Sequence, residues 1–373
     1  MLTTHPVASV PATDGRDRPP VPALRTEWRA AFLADPHAQA FHSPEWVDAV
    51  CATGGFEDAS RLYETRDGRL LVLPMVRRRH LGGVLSSQAS MPPDWGIGGV
   101  LSRDPVRPED LSAICTDLAR QRGVLRTFIR PSARTGPLWE QVEAPGLKTT
   151  PRLCHVLDLE GGFETVWGQR YSKTARRYVR KAEKAGVVVE RDDTGARLPE
   201  YFRLVEDSVE RWAGQQHEPL LLSRWRARRR QTVEKVQALA AAVPGRFRLY
   251  LAVWEGQPVA GSIVYRATGT RATSGAMIKD LAGPVAANYL LESAAIEDAC
   301  DAGSTHYDLG ESGSSGGLAM YKTRFGARPE PYRSLVIERL PLTEADRALR
   351  TAVKRAIGFR DAAPDPSAAA DEG

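Results

Sequence analysis

The sequence predicts an α/β fold of the α+β kind, in which two similar units each combine a mixed, mostly antiparallel sheet with flanking helices. Three observations predict it. Two β-rich runs are joined by Asp67-Gly68, a dipeptide typical of a tight hairpin turn. A second series of strand and helix patterns begins near residue 150 and repeats the element order of the first. Three further β-rich runs, with Gly256 and Gly269 between them, indicate an antiparallel meander.

The first unit is predicted to span residues 26–150, after a Pro-rich polar tail over residues 1–25 that we expect to be disordered. Two short helices come first, and the second has Ser43 as its N-cap and Pro44 at its first position. The hairpin follows, and after it come a Pro/Gly-rich turn with a short strand, a helix over PEDLSAICTDLARQRG and a strand over VLRTFIR.

The second unit is predicted to span residues 151–358, before a disordered tail over residues 359–373. It begins with a strand over LCHVLDLEG and a helix over SKTARRYVRKAEKAG. Two further helices are expected over residues 197–242, separated by the polar connector GQQHEP. The meander leads to a helix between Pro284 and Gly303, a strand over THYDLG, a short helix over GGLAMYKTRFG, a strand over PYRSLVIERL and a terminal helix.

The composition narrows the class of protein. No apolar run among the 373 residues approaches the roughly 20 residues that cross a bilayer, and the N-terminal tail lacks the apolar segment of a secretory signal. The cysteines lie far apart without CxxC spacing, which argues against a zinc or redox site. They are Cys51, Cys115, Cys154 and Cys300. We therefore expect a soluble, cytoplasmic protein with reduced thiols and no bound metal.

Positive charge is concentrated in one segment. The net charge is only +5, but the segment RYSKTARRYVRKAEK has a single acid, Glu183, among its basic residues. On a helical wheel Ala175, Tyr178 and Val179 share one stripe, so the basic side chains occupy the other face. That face suits contact with phosphates, although a charged run is often simply a solvated surface. The basic residues are Arg170, Lys173, Arg176, Arg177, Arg180, Lys181 and Lys184.

Four stretches together resemble one family. SKTARRYVRKAEKAGVVVE is similar to the basic helix and following strand of the Fem ligases, which use aminoacyl-tRNA to build peptidoglycan interpeptide bridges. The stretches GAMIKDLAGPVAANYLLESAAIEDA, YDLGES and GLAMYKTRFGA resemble the C-terminal GNAT half shared by Fem proteins and bacterial BioF-like acetyltransferases. The resemblance covers residues 150–340. It implies tandem GNAT-like subdomains that share a cleft, a cytoplasmic enzyme without a metal or a covalently bound cofactor, and a catalytic lysine near the C-terminus. The long helical arm of Fem ligases is replaced here by ordinary helices, so the resemblance leaves the acceptor open.

The catalytic candidates follow from the chemistry of amide formation. That reaction needs a deprotonated amine, a donor that polarises the carbonyl, and help for the departing group. Lys322 in YKTRFGA is the first candidate, as a charge stabiliser, and a solvated helix lysine is the alternative. Tyr307, Asp308 and Glu311 in HYDLGES lie at the end of a strand, where either acid would deprotonate the acceptor. Helix capping by Asp308 is an equal explanation.

Donor-binding residues are predicted at two places. On the basic helix they are Lys173, Arg176, Arg177 and Arg180. The loop KDLAGPVAANYLL occupies the place where GNAT enzymes that use CoA carry a glycine-rich pyrophosphate turn, and there Asn288 and Tyr289 are predicted to face the cleft. Pro284 removes one N–H from that loop, which weakens the acyl-CoA interpretation without excluding it.

Acceptor-binding residues are predicted in two connectors. The segment ERWAGQQHEP concentrates hydrogen-bonding and aromatic side chains, although a plain polar connector is the alternative. Its candidates are Trp212, Gln215, Gln216 and His217. The segment MPPDWGIGG contributes Asp94 and Trp95. Turn formation alone also explains its prolines, its glycines and Asp94. His217 has no second ligand at metal-binding spacing.

The sequence therefore predicts an acyltransferase that forms an amide on an amine. The favoured form is a Fem-like, aminoacyl-tRNA-dependent aminoacyltransferase acting on a peptide, a cell-wall precursor or a small metabolite. One alternative is an acyl-CoA-dependent N-acetyltransferase. Another is a non-catalytic GNAT scaffold that binds nucleic acid or a partner through its Arg-rich helices. The oligomeric state is left open.

Overall fold

A computed structural model describes residues 21–313 and 315–359. Most of both predicted tails, residues 1–20 and 360–373, lies outside the described residues. The strands are β1 (Val21–Pro22), β2 (Glu57–Asp58), β3 (Arg61–Glu64), β4 (Leu70–Leu73), β5 (Val76–His80), β6 (Leu85–Ser90), β7 (Leu101–Ser102), β8 (Val124–Ile129), β9 (Leu147–Asp158), β10 (Val188–Asp192), β11 (Phe247–Trp254), β12 (Gln257–Arg266), β13 (Thr270–Met277), β14 (His306–Glu311) and β15 (Arg328–Glu338).

The helices alternate with these strands. They are α1 (Arg25–Ala34), α2 (Pro44–Gly54), α3 (Pro108–Arg120), α4 (Gly136–Trp139), α5 (Gly162–Thr165), α6 (Lys173–Lys184), α7 (Leu198–Gln216), α8 (Leu220–Arg230), α9 (Val233–Ala242), α10 (Lys279–Ala282), α11 (Ala287–Asp301), α12 (Gly316–Arg324) and α13 (Leu342–Ala356). A π-helical turn over Val166–Arg170 lies between α5 and α6.

One sheet runs through both predicted units. Its strand order is β10-β11-β12-β13-β14-β9-β15-β8-β6-β5-β2, and a small second sheet has the order β1-β3-β4-β7. Most pairs are antiparallel, and each unit contains one parallel pair, β6 with β8 and β13 with β14. The predicted mixed, mostly antiparallel sheet flanked by helices is confirmed.

The last strand ties the two units together. β15 belongs to the second predicted unit in sequence. One of its edges pairs with β9 over Arg328–Ile337, and the other edge pairs with β8 of the first unit over Leu335–Glu338. β9 itself crosses the predicted boundary between residues 150 and 151. The division into two units therefore stays a prediction about the chain, since the sheet is continuous across it.

The predicted hairpin forms, but its second run is divided between the two sheets. β3 pairs with β4 across the Asp67-Gly68 turn, where Gly68 has a φ of +79°. Pro74 then separates β4 from β5, which belongs to the large sheet. The pattern of residues 85–90, LSSQAS, did not predict a strand because it lacks alternating apolar residues. These residues form a strand because they pair with β5 on one side and with β8 on the other.

Residues 197–242 form three helices, so the prediction of two was wrong. α8 and α9 are separated where Thr232 takes an extended conformation and its hydroxyl accepts a hydrogen bond from the N–H of Lys235. The predicted connector GQQHEP was also too long. α7 continues to Gln216 and ends at His217, whose φ of +53° is left-handed.

Two apolar cores lie against the half of the sheet that contains β11–β14. One is centred on Trp28, Trp46 and Tyr201, from α1, α2 and α7, and so joins both units. The other joins α6 and α11 to the sheet through their apolar stripes. The basic helix α6 begins as predicted, with the hydroxyl of Ser172 accepting from the N–H of Ala175.

Candidate active site

The candidate site begins where two neighbouring strands part. β13 and β14 are parallel and pair only through Thr270 with Tyr307 and Arg271 with Asp308. Beyond these pairs β13 continues against β12, while β14 bulges between Asp308 and Glu311 and follows β9. The bulge is permitted by Gly310, whose φ is +76°. The separation opens the centre of the sheet.

A buried ion pair lies at this opening. The carboxylate of Asp308 accepts from the guanidinium of Arg271, from the thiol of Cys154 at 2.8 Å and from the N–H of Gly310 at 2.8 Å. Burial alone would raise the pKa of Asp308, but Arg271 and these hydrogen bonds lower it below its ordinary value. Asp308 is therefore an anion with every partner inside the protein, which suits a structural role better than proton transfer.

Glu311 is the second acid of this strand, and it is held by Arg152 of β9, Tyr332 of β15 and Arg130, which directly follows β8. Its carboxylate accepts from Arg130 at 2.9 Å, from Arg152 at 3.0 Å and from the hydroxyl of Tyr332. Burial raises the pKa of Glu311, but Arg130, Tyr332 and Arg152 together lower it below its ordinary value. The acid predicted as an alternative base is thus an ion-paired carboxylate.

Lys322 lies beneath the bulge of β14, on α12. Its side chain is buried, and its ammonium donates to the carbonyls of Gly310 at 3.0 Å and Glu311 at 2.8 Å. The solvated-lysine alternative is therefore wrong. Burial lowers the pKa of Lys322 from its ordinary value, although nearby Cys154 and Glu292 oppose that shift. An ammonium has three N–H donors, so one remains beyond these two bonds.

A buried carboxyl that the sequence reading did not include completes this region. Glu292 lies on α11, and the hydroxyls of Tyr307 and Tyr321 face it. The Oε1 atom of Glu292 and the hydroxyl of Tyr307 are buried without a hydrogen-bond partner among the described residues. Burial raises the pKa of Glu292 above its ordinary value. The sequence contained a signal for its burial, because Glu292 falls on the same apolar helix stripe as Tyr289 and Ile296.

A cavity of about 510 Å³ lies on one side of the opening. Arg130 and Arg271, which hold the two acids of β14, both line it. The opposite wall is the arginine-rich helix α8, where Arg226 pairs with the buried Glu218 while Arg228 forms no ion pair with a described residue. This volume is in the range of small-molecule sites. The cavity has the size and charge to hold an acceptor that carries an anionic group.

The predicted acceptor residues divide between this cavity and the surface. Asp94, Trp212 and Gln216 line the cavity. Gln215 and His217 are exposed at the end of α7 and do not line it. Trp95 packs beneath the ammonium of Lys235, which lies 3.7 Å from the centre of its ring.

Lys235 connects the two units at the rim of the cavity. Its ammonium donates to the carbonyls of Asp94 at 2.8 Å and Arg230 at 2.7 Å, and burial lowers the pKa of Lys235 to about 8. Asp94 takes a left-handed conformation, with a φ of +66°. The MPPDWGIGG turn is therefore attached to α8 and α9.

The predicted donor residues lie on α6 and α11, which pack together through Tyr178 and Tyr289, with ring centres 4.7 Å apart. Tyr289 is buried in an aromatic cluster with Tyr321 and Phe325, and Asn288 accepts from the hydroxyl of Tyr321 through its carbonyl.

On α6, Lys173, Arg177 and Arg180 are exposed. Arg176 instead donates to the carbonyls of Trp167 and Gly168 in the π-helical turn. Helix α11 begins at Ala287 without a side-chain cap. The uncapped start of α11 and the exposed cations of α6 make this side suitable for phosphate.

Arg130, Arg152 and Arg271 were missed by the sequence interpretation. Each is a charged residue within or directly beside a β-rich run, and such a position signals a buried ion pair, but it does not identify the partner. Among the described residues no group of three or more His, Cys, Asp or Glu side chains is arranged to hold a metal ion. No helix in the described part of the chain is long and apolar enough to span a membrane.

Comparisons with known proteins agree with this arrangement. Residues 169–323 match the family described as an acetyltransferase (GNAT) domain. The crystal structure of FemX aligns with a TM-score of 0.66 at 14% identity, over 88% of this chain and 99% of that chain. At this identity the likeness shows a shared fold. No curated protein sequence gives a significant match.

Two weaker structural alignments have TM-scores below one half. A tandem GNAT protein from the clavulanic acid biosynthesis pathway aligns with a TM-score of 0.45 at 14% identity, over 84% of this chain and 94% of that chain. A GCN5-related N-acetyltransferase from Sphaerobacter thermophilus aligns with a TM-score of 0.37 at 15% identity, over 74% and 79%.

Proposed function

Because this chain is an acyltransferase with a GNAT domain and the fold of FemX, we propose that it joins an activated acyl group to an amine held in the arginine-lined cavity. One observation carries the proposal. The cavity reaches the parting of β13 and β14, and its floor contains Arg130 and Arg271, the partners of the two acids on β14. An amine in the cavity would thus lie beside the bulge that Lys322 supports from below.

In the proposed reaction the amine nitrogen attacks the acyl carbonyl, a C–N bond forms, and the bond to the leaving oxygen or sulfur breaks. The proton lost by the amine ends on the leaving group or in solvent. The remaining N–H of Lys322 would stabilise the negative charge that develops on the carbonyl oxygen or the leaving atom. Asp308 and Glu311 would hold the geometry through their arginines, while Glu292, with its raised pKa, is the better candidate for proton transfer.

The favoured donor is aminoacyl-tRNA. Support comes from the exposed cationic side chains of α6 next to the uncapped start of α11, and from Pro284, which removes an N–H where a pyrophosphate would bind. Contacts of this kind are made to the phosphate backbone, so recognition of the tRNA sequence would be weak. The acceptor is proposed to be a peptide, a cell-wall precursor or a small metabolite that carries a carboxylate or phosphate besides its amine.

The second candidate is an acyl-CoA-dependent N-acetyltransferase, which the acetyltransferase description of the matched domain favours. The same cationic side would then bind the phosphates of CoA. The two candidates share the acceptor cavity and Lys322, and they differ only in the donor.

A donor-exchange experiment separates them. The full chain is incubated with a mixture of candidate amines and either radiolabelled acetyl-CoA or tRNA charged with labelled amino acids, with and without RNase. The favoured proposal predicts labelled amide only from charged tRNA, and its loss after RNase treatment. RNase-insensitive product from acetyl-CoA would establish the second candidate instead.

The role of Lys322 is tested by Lys322→Met, with Lys354→Met as a control because Lys354 is exposed on the terminal helix α13. Loss of one charge-stabilising donor is expected to lower kcat by about 100-fold or more. The control should keep the wild-type rate. A Lys322→Met enzyme that remains folded by circular dichroism and keeps its rate would remove Lys322 from the mechanism.

A further inference from the structure

A second positively charged pocket lies far from the parted strands. It has a volume of about 300 Å³ and lies at the start of β6 and β8. Its lining includes four arginines, namely Arg61, Arg77, Arg79 and Arg122. No acidic side chain among the described residues lines it. The two pockets share no lining residue. Strand β8 runs between them, because Val124 at its start lines this pocket and Arg130 just after its end lines the other, about 20 Å away at about 3.3 Å per residue. The pocket is therefore separate from the acceptor cavity.

The charge in this pocket is only partly compensated. Arg61 pairs with Asp117 at 3.3 Å and Arg79 pairs with Glu57 at 2.8 Å, both outside the pocket lining. Arg77 has a neutral partner, donating to the amide oxygen of Gln88 at 3.0 Å.

Arg122 is exposed in the turn between α3 and β8 and forms no ion pair with a described residue. Four arginines with two carboxylate partners leave an excess of two positive charges.

Arg77 is the member of this group that most needs an anion. Its Nε atom is buried without a hydrogen-bond partner in the described part of the chain. Burial, with Arg61 and Arg79 as like charges, lowers the pKa of Arg77 from its ordinary value. Like charges held together in a partly buried space repel each other, and a bound anion relieves both the repulsion and the unsatisfied donor.

We propose that this pocket binds a phosphate-type oxyanion between Arg77 and Arg122. Two excess charges match a phosphate group, which carries about −1.5 to −2 at neutral pH, better than a single carboxylate. Planar guanidinium groups suit its oxygens because they donate in pairs. The site is independent of the proposed acyl transfer.

The phosphate has two possible sources. One is a soluble phosphate or pyrophosphate compound. The other is a phospholipid headgroup, since the turn that carries Val84 of the pocket exposes 75% of Leu81 and 76% of Val84 to solvent. Both sources require the same arginines, and only the lipid requires the two apolar side chains.

The test uses the full chain and two probes at constant ionic strength. Inorganic pyrophosphate binding is measured by calorimetry, and vesicle binding is measured by sedimentation with phosphatidylglycerol in phosphatidylcholine against phosphatidylcholine alone. The variants are Arg77→Gln and Arg122→Gln, the second being exposed and so safe for folding. Arg78→Gln is the matched control, because it removes one charge from the same strand but does not line the pocket.

The proposal predicts that Kd for at least one probe rises tenfold or more in Arg77→Gln and Arg122→Gln and stays within twofold in Arg78→Gln. If the double variant Leu81→Ser/Val84→Ser loses vesicle binding, the lipid source is identified. This conclusion holds whether or not pyrophosphate binds. Saturable pyrophosphate binding without vesicle binding would identify the soluble source. No saturable binding of either probe, or equal Kd values in all variants, would overturn the proposal.

Discussion

The buried pair between Arg271 and Asp308 allows a quantitative test of how the parted strands are held. The side chain of Arg271 is 10% exposed and that of Asp308 is 1% exposed. Arg271→Met keeps much of the side-chain volume and removes the charge. The carboxylate of Asp308 then keeps only the thiol of Cys154 and the N–H of Gly310 as partners. Removing one partner of a buried pair costs about 3–5 kcal/mol of unfolding free energy.

The pH dependence of this loss has a definite sign. In the wild type the folded pKa of Asp308 lies below its ordinary value of 3.8, so its contribution is present above 3.8 and is lost as pH falls through the folded pKa. Without Arg271, burial becomes the dominant influence and raises the folded pKa above 3.8. Protonation of Asp308 then removes the unpaired buried charge from the variant as the pH falls. The stability difference between wild type and variant should therefore be largest near pH 7.5 and shrink toward pH 4.

The assay is urea unfolding followed by tryptophan fluorescence at pH 7.5 and at pH 4.5. The control is Arg29→Met, which breaks the ion pair to Glu45 between side chains that are 54% and 38% exposed. An exposed pair contributes about 0–1 kcal/mol, so the control should change little. A loss of less than about 1 kcal/mol for Arg271→Met, or a loss that does not depend on pH, would refute the reasoning about this pair.

Three further predictions concern stability. Gly326 in YKTRFGA has a φ of +85°, and a Cβ atom there would lie 2.5 Å from the carbonyl oxygen of Arg170. Gly326→Ala should therefore lower the unfolding free energy by more than about 2 kcal/mol, whereas Gly186→Ala, with φ +77° and open space around it, should show only the backbone cost of about 1–2 kcal/mol. Equal losses would contradict the steric argument. His306 is buried, and burial lowers its pKa from 6.5 to about 4. The unfolding free energy should therefore fall as the pH is lowered from 6.5 to 4, by up to about 3 kcal/mol more in the wild type than in His306→Gln. Parallel pH curves for these two proteins, in thermal or urea unfolding, would show that His306 is not protonated differently on folding. Ser172→Ala should cost about 1 kcal/mol, because the hydroxyl caps α6, and an unchanged urea midpoint would mean that solvent replaces the cap.

Local patterns predicted much of the fold because their causes are local. The Asp67-Gly68 turn, the N-cap Ser43 and the short helix over GGLAMYKTRFG depend on residues a few positions apart. The resemblance carried by the basic helix and by YKTRFGA predicted an acyltransferase with a GNAT domain, and the match of residues 169–323 to that domain confirms it. The donor and the catalytic roles stay predictions.

The errors have a common physical cause. Gln215 and Gln216 were interpreted as loop residues because polar side chains cluster there, yet an exposed helix end tolerates the same residues. β6 was missed because its Ser and Gln side chains are buried by neighbouring strands rather than by an apolar pattern of their own. In both cases the local composition does not record whether other parts of the chain pack against the segment.

By itself the sequence determined the types of most elements, the cationic face of α6 and the presence of a GNAT domain, which residues 169–323 match. Only the tertiary structure decided the partners of Asp308, Glu311 and Lys322. The partners of the two acids include Arg152 on β9, Arg271 on β13 and Arg130 directly after β8. The partners of Lys322 are backbone carbonyls of the bulge in β14. Electrostatic contacts depend on distance in space, whereas a sequence pattern records only distance along the chain. The same reason explains why two groups of arginines, one at the cavity beside the parted strands and one at the remote pocket, could not be told apart before the strands were assembled.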